Sequence, residues 1–191
     1  MTYDEYLHCA EKHLKGCVSL LLSYKPNQKY DKHVWLDLYY LAGYIIEGIV
    51  VYSAYKLNNW MQSDDIMTKY NVEFSQRTNL DFYYTRTKFR GDVDENTRVF
   101  FQNRSKRAVL SVQGHRFQEI AKTLLRPNPS FKGVPYLGNG FIDQDVEILI
   151  DKWRPEIRYL YVGKRNSLPA LNQDLIAKLL NTCFTIYLNH I

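Results

Sequence analysis

Histidine is the side chain best suited to moving protons near neutral pH, and this 191-residue chain has five, at 8, 13, 33, 115 and 190. Each needs a partner to do chemistry: a carboxylate to orient the ring, a second metal ligand, or a cation for developing negative charge. His8 and His13 lie five apart, which misses the i,i+4 spacing at which two helical histidines share a metal. No Cys/His pair has zinc spacing, and there is no Walker loop, G-x-G-x-x-G or G-x-S-x-G. Tyr136-Leu-Gly-Asn-Gly is glycine-rich but lacks the lysine and the preceding strand of a phosphate loop. Neither a metal nor a cofactor is expected. His115, behind Gly114 and ahead of an amphipathic stretch, is the best single candidate for acid–base or phosphate-contact work. Its alternative role is that of a first-turn residue in a helix packed on the core.

Two further groups carry charge with consequences. Glu47 is alone among apolar residues, and a buried carboxylate must be hydrogen-bonded, paired or protonated. Around it, a structural ion pair competes with a site carboxylate at a cleft. From Arg77 to Arg116, nine basic residues face four acidic ones, so the whole net charge of +5 resides in that segment. Its cations include Arg86, Lys88, Arg90, Arg104, Lys106, Arg107 and Arg116, with Asn103-Arg-Ser-Lys-Arg107 the densest patch. Phe82, Tyr83, Tyr84, Phe89, Phe100 and Phe101 lie between them. That mixture suits phosphate contacts beside stacked, unpaired bases, so RNA is the polyanion it fits. The same residues would also serve as a solvated insertion anchored by its aromatics.

The elements that must position these groups read as helices. Trp35 to Lys56 is apolar on nearly every side, with Glu47 its only charge between Asp37 and Lys56. Such a helix is surrounded by protein or by lipid. A carboxylate at mid-bilayer costs several kcal/mol, and the run also holds five tyrosines, so protein is the expected surround. Gly43 and Gly48 each cost about 1 kcal/mol relative to Ala, which fits close approach by neighbouring helices. Residues 4–23 form an amphipathic first helix on Tyr6, Ala10, His13/Leu14, Cys17 and Leu21. Ser63 caps a short helix, and 72–111 is irregular or a strand pair before helix resumes within 97–112. Arg116–Leu125 turns Phe117, Ile120/Ala121 and Leu124 inward; Asp143 caps a helix with Val146, Leu149, Ile150 and Trp153 inward. Pro155 breaks it. A last helix spans about Pro169 to His190. The pattern implies one all-α domain over 1–191, with an irregular or partly β insertion at about 72–111. The cysteines, Cys9, Cys17 and Cys183, fall at helical positions expected to be buried and reduced. With no signal-peptide pattern in the first 25 residues, a cytoplasmic protein is expected.

Three pieces in order carry a resemblance: Tyr40-Leu-Ala-Gly-Tyr-Ile-Ile-Glu-Gly, Gly114-His115 at a helix start, and Trp153-Arg-Pro-Glu-Ile-Arg158-Tyr159. Together, over about residues 35–160 with a gap at the 60–112 insertion, they resemble the HEPN families of bacterial and archaeal helical-bundle proteins. The resemblance implies a bundle that often dimerises, here with about five to seven helices. It also implies an ion pair between Glu47 and Arg158, whose motif positions match. Some members are metal-independent RNases, often toxins paired with a nucleotidyltransferase or other antitoxin; others only bind. The Arg-x(4–6)-His motif of the nucleases is absent, because the nearest arginine before His115 is Arg107, eight positions earlier. The expectation is therefore a HEPN-like protein that binds RNA or a nucleotide-related partner without that motif. A metal-independent RNase using His115 is the first alternative. A non-catalytic interaction subunit of a toxin–antitoxin or phage-defence system is the second. A homodimer with no membrane association completes the expectation.

Overall fold

The computed structural model describes residues 2–26, 31–57, 61–63, 115, 117–121, 143–159 and 168–190. Among them every regular element is helical: α1 (Asp4–Ser23), α2 (Asp31–Leu57), the four-residue α3 (Phe117–Ile120), α4 (Gln144–Lys152), a 3-10 turn (Pro155–Tyr159) and α5 (Gln173–Leu188). The described residues are thus all-α. The expected short helix after Ser63, the 72–111 insertion, the helix within 97–112 and the loop at 127–140 lie outside them.

α2 is the centre. Its 27 residues span about 40 Å, and α1, α3, α5 and the 3-10 turn all pack against it. From Leu38 to Tyr55 nearly every residue is buried, on every side of the helix. By length and composition α2 could cross a membrane, and 72% of its apolar stretch is buried within the protein. The two glycines are where neighbours come closest. A Cβ at Gly43 would fall inside the Trp153 indole ring. One at Gly48 would stand 2.6 Å from the Tyr6 carbonyl oxygen and 3.2 Å from the Ala10 Cβ.

The other helices each lay one apolar stripe on this rod. α1 buries Ala10, Leu14 and Cys17, at i, i+4 and i+7. Tyr3, just before it, stacks on Tyr55 with centroids 6.0 Å apart. α5 buries Leu175, Ile176, Leu179, Leu180, Cys183 and Ile186 against α2 and α1. Its start is later than expected: the Asn172 side chain accepts a hydrogen bond from the Leu175 amide, and that cap sets the first turn rather than Pro169. The Asp143 carboxylate caps α4 as expected, accepting from the Asp145 amide at 2.9 Å. Cys17 and Cys183 are buried, and burial pushes the Cys17 thiol up to about 11. Cys9 is exposed, against expectation. It sits one residue, about 100° of helix rotation, from Ala10 and so leaves the buried stripe.

Candidate functional site: a buried glutamate holding an exposed histidine

The site begins with the spacing of polar tips on α2. Tyr40, Tyr44 and Glu47 follow one another at i, i+4 and i+7, so one stripe of an apolar helix carries two phenols and a carboxylate. Gly43, on the same stretch, lets Trp153 lie against the helix, where the indole N–H donates to the Tyr40 carbonyl at 3.0 Å. Tyr39 adds a second tie, its hydroxyl donating to the Leu149 carbonyl at 2.7 Å. The C-terminal end of α4 is thereby fixed beside the stripe.

α3 brings His115 to it. Phe117 is fully buried, and its ring packs on Trp153 with centroids 5.4 Å apart. The Gln118 amide donates to the carbonyls of Ile150 and Trp153 at 2.9 and 3.1 Å. Two residues ahead of this anchor, His115 has φ of 56°. That left-handed conformation costs a non-glycine residue on the order of 1 kcal/mol, and histidine is among the types that accept it more readily. His115 therefore precedes the helix instead of occupying its first turn.

The ring lands on Glu47. His115 Nδ1 lies 2.9 and 3.0 Å from the two carboxylate oxygens. The side chains are 42% and 11% exposed, so an open imidazole is held by a nearly closed carboxylate. Nδ1–H is the donor in this pair, which leaves Nε2 as the nitrogen with free chemistry. Burial raises the Glu47 pKa, and the hydrogen bond and charge of His115 pull against it without reversing the shift. Burial and then the charge of Glu47 also raise the pKa of Tyr6.

Aromatic rings complete the surround. Tyr44 meets His115 edge-on with centroids 5.7 Å apart and Trp153 edge-on at 5.1 Å. The Tyr40 hydroxyl donates to the Tyr44 hydroxyl at 3.1 Å. On the α1 side the half-buried His13 ring is 6.2 Å from Tyr44. Burial, then nearby Lys12, lowers its pKa.

Arg158 corrects an expectation. It does not pair with Glu47. The 3-10 turn leaves it exposed, with its guanidinium 4.6 Å over the Tyr159 ring, and the Tyr40 phenol raises its pKa. The carboxylate's partner is His115 instead, because the left-handed turn drops the imidazole onto the buried carboxylate. Arg158 still belongs to the cluster, since its charge acts on Tyr44.

Sequence reasoning singled out Glu47, His115 and Arg158 but not Tyr40, Tyr44 or His13 as site residues. The available signal was the i, i+4, i+7 placement of polar tips on an otherwise apolar helix. Arg86, Lys88, Arg90, Arg104, Lys106, Arg107 and Arg116 lie outside the described residues. Among the described residues no three His, Cys, Asp or Glu side chains gather as metal ligands. Comparison with protein-family models, curated proteins and solved structures finds no match to this chain.

Proposed function

We propose that this chain is a HEPN-like helical protein that binds single-stranded RNA, with the His115–Glu47 pair as the working contact of its site. One observation carries the reading: an open imidazole is fixed by a buried carboxylate and set edge-on to the Tyr44 ring. A buried acid facing only core would be replaced at little cost by an apolar residue. Holding an imidazole in one orientation at the surface is a use that repays its burial. The basic, aromatic segment from Arg77 to Arg116 supplies electrostatic attraction to the phosphate backbone.

His115→Asn is the informative variant. Asparagine accepts a positive φ and can still donate to Glu47, so the fold keeps its buried partner. The expected result is at least tenfold weaker binding of a short fluorescent single-stranded RNA, read by anisotropy at fixed salt. Parent-like affinity in the variant, or no RNA binding by the parent, would overturn the reading.

A second reading is cleavage, favoured by the orientation of the ring. With Nδ1 on Glu47, Nε2 is placed to take a proton from a ribose 2′-OH. The 2′-oxygen would then attack the adjacent phosphorus, the 5′-oxygen would leave and gain a proton, and a 2′,3′-cyclic phosphate would remain. Arg158 would contribute positive charge near the phosphate. Chelator-resistant cleavage by the parent, lost in His115→Asn, would establish this; intact RNA after long incubation would leave binding alone.

A further inference from the structure

The cluster around Tyr44 has a direction built into its hydrogen bonds. Tyr40 raises the Arg158 pKa, and a nearby positive charge favours a phenol oxygen turned towards it and a proton turned away. The Tyr40 proton is then free to go to the Tyr44 oxygen, 3.1 Å away. Having accepted there, Tyr44 keeps its own O–H as a donor, and no acceptor for that proton is seen among the described residues. Burial and then Tyr40 raise the Tyr44 pKa, so the phenol keeps its proton as a donor. Tyr44 is half-buried, and its ring edge is set by both His115 and Trp153. The hydroxyl is thus held within the same group of side chains as the imidazole and the guanidinium, and both the hydroxyl and the guanidinium can donate.

We infer that Tyr44 is a phosphate-contacting residue: its hydroxyl donates to a non-bridging oxygen of the RNA phosphate held beside His115. This deepens the RNA reading above and rests on it for the identity of the ligand, though not for the phosphate chemistry. A phenol and a guanidinium that can both donate match an anion with several acceptor oxygens. Tyr40 is a positioning residue in this arrangement, because it acts through the Tyr44 oxygen.

The test uses the full chain labelled with 13Cζ-tyrosine, with the Tyr44 signal assigned by Tyr44→Phe. Inorganic phosphate and then a short single-stranded RNA are titrated in. Both are expected to move the Tyr44 resonance. Tyr44→Phe keeps the ring against His115 and Trp153, so its thermal midpoint is expected to stay at the parent's while RNA affinity falls about tenfold. Tyr40→Phe is expected to lose less, since the Tyr44 O–H remains. A parent that binds RNA with a silent Tyr44 signal, or an unchanged affinity in Tyr44→Phe, overturns the inference and leaves the His115 reading intact. A Tyr44 signal that responds to phosphate in a protein that binds no RNA keeps the inference and removes the RNA reading. Silence towards both probes, with no RNA binding, removes both.

Discussion

A carboxylate in the position of Glu47 works against the stability of the fold, and that makes its role measurable. Burial raises its pKa, so the folded state binds this proton more tightly than the unfolded chain does. The favourable contribution is fully present below the ordinary glutamate value and is lost as pH rises through the raised one. Glu47→Gln stays neutral throughout and can still engage the His115 ring. The variant is therefore expected to be at least as stable as the parent at pH 7, with the gap closing as pH falls towards the ordinary carboxylate range. Thermal unfolding at several pH values checks this; a variant less stable than the parent at pH 7 would mean that the ionised pair contributes net stability. At this scale the sequence was only half legible. That Glu47 needs a partner follows from its neighbours, but choosing His115 over Arg158 requires the left-handed φ at His115, which no spacing reveals. Its motif position points Arg158 towards Glu47, while the 3-10 turn after Pro155 holds it out over the Tyr159 ring.

Helices that carry one apolar stripe were readable, because apolar residues recurring every 3.6 positions place a single buried face along a helix. α1 has the bounds expected of it, and α4 begins at its Asp143 cap. The glycines of α2 also declared themselves, as residues that cost helix stability without an evident return. Two substitutions separate the reasons a helix carries glycine. Gly16 lies exposed on α1, and a Cβ there would meet nothing within 4 Å. Gly16→Ala is expected to stabilise by up to about 1 kcal/mol through helix propensity alone. Gly43→Ala gains the same propensity but drives a methyl into the Trp153 ring, which has no flexible end to move aside. Overpacking costs about 1–3 kcal/mol or more, so the net effect is destabilising. It also displaces the indole that borders Tyr44 and His115. Denaturant unfolding of the two variants should give shifts of opposite sign; two shifts of the same sign would refute the close packing of α2 on Trp153. The late start of α5 was less legible, since Pro169 and Asn172 both mark helix starts and only the capping hydrogen bond decides between them.

At the level of the molecule, one nearly all-apolar helix serves as both core and site floor. The face that buries Ile45, Ile46 and Ile49 fixes α2 in place, and the adjoining stripe of Tyr40, Tyr44 and Glu47 then needs no loop to position it. Rigid helical support of this kind suits recognition that depends on the direction of hydrogen bonds. The helical class of the described residues was legible because the apolar runs are long and periodic. The route by which His115, 68 residues beyond Glu47, returns to it was not, because pairing at that separation is set by tertiary packing on Trp153. Charge completes the picture, since the net +5 sits between Arg77 and Arg116, the segment that leads into His115. The central claim is that His115, oriented by Glu47, meets RNA through its other ring nitrogen. The direct measurement is 15N-imidazole NMR of the full chain during titration with single-stranded RNA. The account predicts an Nδ1-protonated ring in the free protein and a shift of the His115 Nε2 resonance that saturates with binding. An Nε2-protonated free ring, or a His115 signal unmoved while RNA binds, would contradict it.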